Sequence, residues 1–133
     1  MESEKGEKVI KHFRVVGNTL EFIKKNKPES FSNLTARQAL KLSIEKWQTI
    51  VEFLIKHPKR IIFDGSGDTC ACCRRSFARC DGCPIKIYTG NPYCTGTPYD
   101  DYIFWRIENN VEALKAAKAE ITFLKKVLKE TKS

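Results

Sequence analysis

The chain has 133 residues, 41% of them hydrophobic and 30% charged, and its 24 Lys and Arg against 16 Asp and Glu leave it at +8. That length favours one domain with a buried core, and the composition excludes a disordered or collagen-like chain. No apolar run approaches the roughly 20 residues that span a bilayer, and Met1–Lys8 carries no apolar signal core, so the expectation is a protein neither inserted in a membrane nor secreted.

The N-terminal unit, residues 1–33, carries two patterns. Ile10, Phe13, Val16, Leu20 and Ile23 follow helical spacing, whereas Phe13 to Phe22 reads as two short alternating runs around Gly17-Asn18. Gly-Asn is a two-residue hairpin turn and β-branched residues flank it, which favours the hairpin. Asn26 to Asn33 is a loop.

Residues 34–57 predict a helix. Thr35 with Gln38 three residues on forms a capping box, and Leu34 can staple onto Ala39. Leu40, Ile44, Trp47, Val51 and Leu54 share one face, with Trp47 the natural core anchor, and Pro58 stops the helix near Lys56 or His57. Arg60–Phe63 reads as a short strand or an extended connector, and Lys86–Tyr88 as its counterpart across the segment that follows.

That segment, residues 64–96, is rich in Gly and Pro and holds all six cysteines: Cys70, Cys72, Cys73, Cys80, Cys83 and Cys94. It is too poor in large aliphatics to build its own core and needs a staple. Cys70-Ala-Cys72-Cys73 contains one C-x-x-C, and Cys80-Asp-Gly-Cys83 is a second. Two residues between thiolates let a tight turn aim both sulfurs at one ion, so two such turns give four ligands for tetrahedral zinc. The expected ligands are Cys70, Cys73, Cys80 and Cys83, with Cys94 able to replace one of the second pair and Cys72 least suited. Arg74, Arg75 and Arg79 should lower the thiol pKa values and offset part of the thiolate charge. The alternative is one or two disulfides. The 17 Lys against two Gln and one Met lean toward hyperthermophile composition, where intracellular disulfides persist.

Gly65 to Tyr99, in the order Cys70-Ala-Cys-Cys73, Cys80-Asp-Gly-Cys83-Pro, Cys94 and Thr97-Pro-Tyr99, resembles small uncharacterised cysteine-rich proteins of viruses and bacteriophages. The likeness covers about a quarter of the chain and departs from the pattern at Cys72, where an apolar residue is usual. It implies a viral accessory protein with a cysteine-built metal site and no transferable activity. Reduced, metal-bound cysteines imply an intracellular protein, which for a viral one means the host cytoplasm.

Residues 97–131 read as a long helix with Thr97 as N-cap, Pro98 at N1, and Asp100 and Asp101 in the first turn. Its apolar seam runs Ile103, Ile107, Leu114, Ala117, Ile121, Leu124 and Leu128, with Asn110 on the same line. Such a helix would extend about 50 Å, so it either breaks and folds back or packs on a second copy. Phe123 and Val127 supply a second apolar edge for such a homodimer, and a buried Asn110 would fix its register.

The fold expected is therefore mainly α in a single domain over residues 1–133, with two principal helices flanking a metal-stapled loop and an N-terminal hairpin. No catalytic constellation stands out, and an all-cysteine zinc site with ligands to spare is closed and structural, so no enzyme is expected. Two functions stay open. Arg74, Arg75, Phe77 and Arg79 lie between the cysteine pairs and combine guanidinium groups with an aromatic, as a small knuckle does on single-stranded nucleic acid. Lys24, Lys25, Lys27, Lys59 and Arg60 can extend that contact, since +6 of the net charge lies in residues 1–62 (13 basic, 7 acidic). The alternative is a protein–protein adaptor or dimerisation module using the C-terminal helix.

Overall fold

The computed structural model describes residues 11–64, 69–75, 83–90, 94 and 96–132. Two strands, β1 (Phe13–Val16) and β2 (Thr19–Phe22), pair antiparallel with Phe13 opposite Phe22 and Val15 opposite Leu20. Gly17 joins them at a φ of 62°, a positive angle at the first central residue alone, which is the type II′ hairpin turn whose twist suits the flanking strands. The period of two sends Phe13, Leu20 and Phe22 into the core and leaves Arg14 facing Glu21 on the outside. Phe63 adds a single parallel bridge to Thr19, donating to the Asn18 carbonyl at 2.6 Å and accepting from the Leu20 amide at 2.8 Å. Of the connector Arg60–Phe63, only this last residue acts as strand.

Helix α1 (Ala36–Lys56) opens as its sequence dictates: the Gln38 amide donates to the Thr35 hydroxyl at 3.0 Å, and the Thr35 amide donates to the Gln38 side chain at 2.8 Å. Leu40, Trp47, Ile50 and Leu54 are buried along its inner face. Trp47 stands edge-on to Tyr99 and Tyr102, with ring centroids 5.9 and 4.9 Å away.

The cysteine segment is more helical than expected. It contains α2 (Ala71–Arg75) and α3 (Pro84–Thr89). Lys86–Tyr88 therefore lies in a helix and not in a strand. Pro84 occupies the first turn of α3, where its missing N–H costs nothing, and Gly90 closes the helix at a φ of 81°.

The long C-terminal helix is two helices, α4 (Pro98–Trp105) and α5 (Asn110–Glu130). Asn109 makes the break: its backbone is extended, and its side chain accepts from the Val111 and Glu112 amides at 3.0 and 3.1 Å, an N-cap that starts a new helix. Asn110, expected to fix the register of a dimer, binds within its own chain. It donates to the carbonyls of Pro58 and Arg60 at 2.5 and 2.9 Å and ties the start of α5 to the end of α1. Helix α5 lies along α1 and α4, its small Ala113, Ala116 and Ala117 allowing close approach. Arg37 of α1 donates to the Leu128 and Thr131 carbonyls at the end of α5, at 2.6 and 2.7 Å.

The buried seam of α5 is Ala113, Ala117, Glu120, Leu124 and Val127, whereas Leu114, Ile121 and Leu128 are half-buried flanks. Val127, expected on an edge for a second copy, is fully buried in its own chain, and Phe123 is half-buried against Tyr88 at 5.9 Å. The architecture is mainly helical with an N-terminal two-stranded hairpin, and no helix among the described residues is long and apolar enough to cross a membrane.

Candidate functional site

Three groups of polar side chains meet around α2. The first is the sulfur cluster. Cys72, fully buried on α2, lies close enough to Cys70 behind it and to Cys83 at the N-terminus of α3 for the three thiols to shift one another's titration. The Ser43 hydroxyl of α1 sits 3.6 Å from its sulfur. The Cys73 amide donates to the Cys70 sulfur at 3.4 Å, and the Cys73 thiol shares a hydrogen bond with it. Hydrogen bonds from Cys72 and then Cys73 hold the Cys70 thiol well below its ordinary pKa despite burial. Cys83 falls to about 7, chiefly through Cys72 and then through the Lys86 and Ile85 amides at the start of α3, against the opposing effect of burial. Cys72 itself is pushed up because it is the donor to both, and Cys73 is raised for the same reason by Cys70. Cys94 is pushed up by burial first and then by the nearby Cys70 and Cys83 sulfurs. Its φ of 58° is left-handed, an uncommon state for a side chain of this kind, and the Thr97 hydroxyl donates to its carbonyl at 2.7 Å.

Of the expected zinc ligands, Cys70, Cys73 and Cys83 thus gather in one cluster with Cys94 beside them, and Cys80 lies outside the described residues. All five described cysteines are free thiols. In donor chemistry the set suits zinc, but among the described residues no three Cys, His, Asp or Glu side chains are arranged to hold an ion. The sequence set Cys72 aside as a ligand. Its place is nonetheless central, fully buried between Cys70 and Cys83 and influencing the titration of both.

The second group was not foreseen. Asp64, 1% exposed, accepts from Lys46 at 3.5 Å and from Arg106 at 3.3 Å, and the Thr69 hydroxyl donates to its carbonyl. Tyr102 donates to the Ile62 carbonyl at 2.6 Å next to it, and burial, with Asp64 nearby, raises that phenol above its ordinary pKa. Glu120 of α5 is 2% exposed and leaves Oε1 without a partner among the described residues. Burial pushes its carboxyl up to about 8, with Lys46 pulling the other way. The helical seams carried a signal for both buried charges. Lys46 falls midway between Leu42 and Ile50 on α1, and Glu120 lies between Ala117 and Leu124 on α5.

The third group is a cleft of about 360 Å³ between the hairpin and α2. Arg14, Lys24, Lys27 and Arg74 line it, with Glu21 the carboxylate among them. Arg14 is bound to Glu21 through Nε and Nη2 at 3.1 and 3.0 Å, while Lys24 and Lys27 are exposed. Arg74 reaches the cleft from the end of α2 and lies over the Phe31 ring, its Cζ 4.2 Å from the centroid. The other expected nucleic-acid residues divide. Arg75 turns away, donating to the Leu34 carbonyl at 2.7 Å just before α1, and Phe77 and Arg79 lie outside the described residues. Arg60 braces the hairpin turn, donating to the Gly17 carbonyl at 2.6 Å and to the Asn18 side chain at 2.9 Å.

No protein-family model, curated protein or solved structure matches the chain. What the site does has to be read from its own chemistry.

Proposed function

We propose that this chain is a non-enzymatic nucleic-acid-binding protein whose cysteine segment is held by a structural zinc ion. The observation that carries the reading is the cleft. Residues far apart in sequence, Arg14, Lys24, Lys27 and Arg74, converge on one concavity, and phosphate backbones are bound by such collected cations. With Arg14 paired to Glu21, the exposed Lys24 and Lys27 present positive charge at the rim of the cleft, which favours a polyanion.

Zinc would tie Cys70 and Cys73 of the α2 region to Cys83 at the start of α3, with Cys80 or Cys94 as the fourth ligand. Its contribution would be structural, neutralising clustered thiolates and fixing two short helices. Zinc-bound thiolates belong in a reducing compartment, so the reading carries an intracellular location with it. That the protein serves a virus rests on the resemblance of residues 65–99 alone.

The test is fluorescence anisotropy with a labelled single-stranded oligonucleotide over a salt series. Two phosphate contacts, from Lys24 and Lys27, give a slope of log K against log salt of about −1.4, from about −0.7 per contact on single strands. Lys24→Glu with Lys27→Glu should remove most of the affinity. Absence of binding at low salt, or binding indifferent to both substitutions, would refute the reading.

A further inference from the structure

We infer that Arg74 is a stacking platform: the cleft admits one unstacked nucleobase of a single strand, which lies on the Arg74 guanidinium while Lys24 and Lys27 take the flanking phosphates. This deepens the nucleic-acid reading and rests on it.

The argument starts from Phe31. It is 8% exposed and packed edge-on against Phe22 at 5.4 Å, so its ring is not itself available to a base. Arg74 lies over it at 4.2 Å and lines the cleft. A guanidinium resting on an aromatic is fixed in orientation. Its planar, weakly hydrated surface stacks on bases as well as on rings, which an ammonium cannot do.

Size and shape choose the strand. About 360 Å³ lies at the small end of ligand pockets and suits one nucleotide unit. A duplex keeps its bases stacked and offers a cleft only its outer phosphates, so a base can enter only from a single strand. Lys24 and Lys27 approach from the hairpin side, Arg74 from α2, and a strand crossing the cleft meets cations on both sides.

The full chain is tested by anisotropy with three probes: a short labelled oligothymidylate, an abasic oligomer of the same length with an identical phosphate backbone, and the oligothymidylate annealed to its complement. Oligothymidylate should bind about tenfold tighter than the abasic strand, within the range of a single base stack, and tighter than the duplex. Arg74→Lys keeps the charge and loses the plane. It should bring the oligothymidylate affinity down to that of the abasic strand. Phe31→Leu, checked for folding by circular dichroism, should do the same by removing the support under the guanidinium. Equal affinity for base-bearing and abasic strands by the unaltered protein, which needs no variant to fold, overturns the inference. So does a duplex bound as tightly as the single strand, or an Arg74→Lys that keeps the full preference for the base-bearing strand. If neither single strand binds at low salt, the nucleic-acid reading falls and not the stacking step alone.

Discussion

Replacing Glu120 by Gln should stabilise the protein in alkali and leave it nearly unchanged in acid. Glu120 sits on the buried seam of α5 with Oε1 unpartnered, and its carboxyl is raised from 4.5 to about 8 by burial. Between those two values the folded state holds a proton that the unfolded state has released. Stability from this group is therefore complete below about pH 4.5 and is lost as the pH rises toward 8. The shift of 8 − 4.5 = 3.5 units, at about 1.4 kcal/mol each, makes the loss on the order of 5 kcal/mol by pH 9. That is a large share of the 5–15 kcal/mol typical of a whole domain. Gln keeps the shape and removes the ionisation. Urea unfolding followed by the fluorescence of Trp47 and Trp105, at pH 5 and at pH 8.5, gives both stabilities under one signal. The difference between native and variant protein cancels the other titrating groups, Cys83 among them. The gap should be within about 1 kcal/mol at pH 5 and several kcal/mol in favour of Gln at pH 8.5. Parallel pH profiles for the two proteins would mean that Glu120 is solvated or paired, and the reasoning would be wrong.

Asp64→Ala removes the common partner of Lys46 and Arg106 and leaves Lys46, 3% exposed, without its counter-charge. About 3–5 kcal/mol should be lost, and a Lys46→Met, Asp64→Ala double variant should recover most of it in urea midpoints. Thr35→Ala breaks the reciprocal cap of α1 and should cost about 1 kcal/mol, read as a fall in unfolding midpoint with an unchanged denaturant slope. Native mass spectrometry of protein purified without added metal should find zinc, released by a chelator with the freeing of four thiols. An apo protein with few reactive thiols would instead point to disulfides and remove the zinc reading.

Where local chemistry decides, the sequence announced the fold. Gly17-Asn18 between alternating runs is a hairpin because glycine takes the positive φ that the turn needs, and Thr35 with Gln38 starts α1 at the expected residue. Thr97 and Pro98 open α4 in the same way. The misses have a common cause, which is that side chains answer to tertiary partners. Ile103 to Leu128 looked like one continuous seam because aliphatic residues recur along it, yet Asn109 caps a new helix and Asn110 beside it binds the carbonyls of Pro58 and Arg60. The seam expected through Leu114, Ile121 and Leu128 lies to one side of the buried one, which includes Glu120, Ala113 and Val127, and a buried charge such as Lys46 breaks an aliphatic pattern. Its burial follows from Asp64, a residue 18 positions on that no local pattern could pair with it. In the candidate site, clustering of cysteines was legible from spacing. The cleft was not, since it joins the hairpin to α2 across half the chain.

The two parts of the site are mechanically one. Helix α2 has five residues, far below the length at which a helix stands on its own in water, so its position is imposed by what it touches. On one side Cys72 binds Cys70 and Cys83. On the other Arg74 lies over Phe31 and Arg75 donates to the Leu34 carbonyl. The sulfur contacts therefore fix the helix whose last turn supplies Arg74 to the cleft. Removing those sulfur contacts should cost the cleft its α2 wall, opposite Lys24 and Lys27 in the turn that follows β2. The hairpin packs through Phe13, Leu20 and Phe22 into the same core that Cys72 and Cys83 enter. Two cations after β2 facing Arg74 on α2 would make the cysteine segment a determinant of which strand is bound, as well as of whether the segment folds.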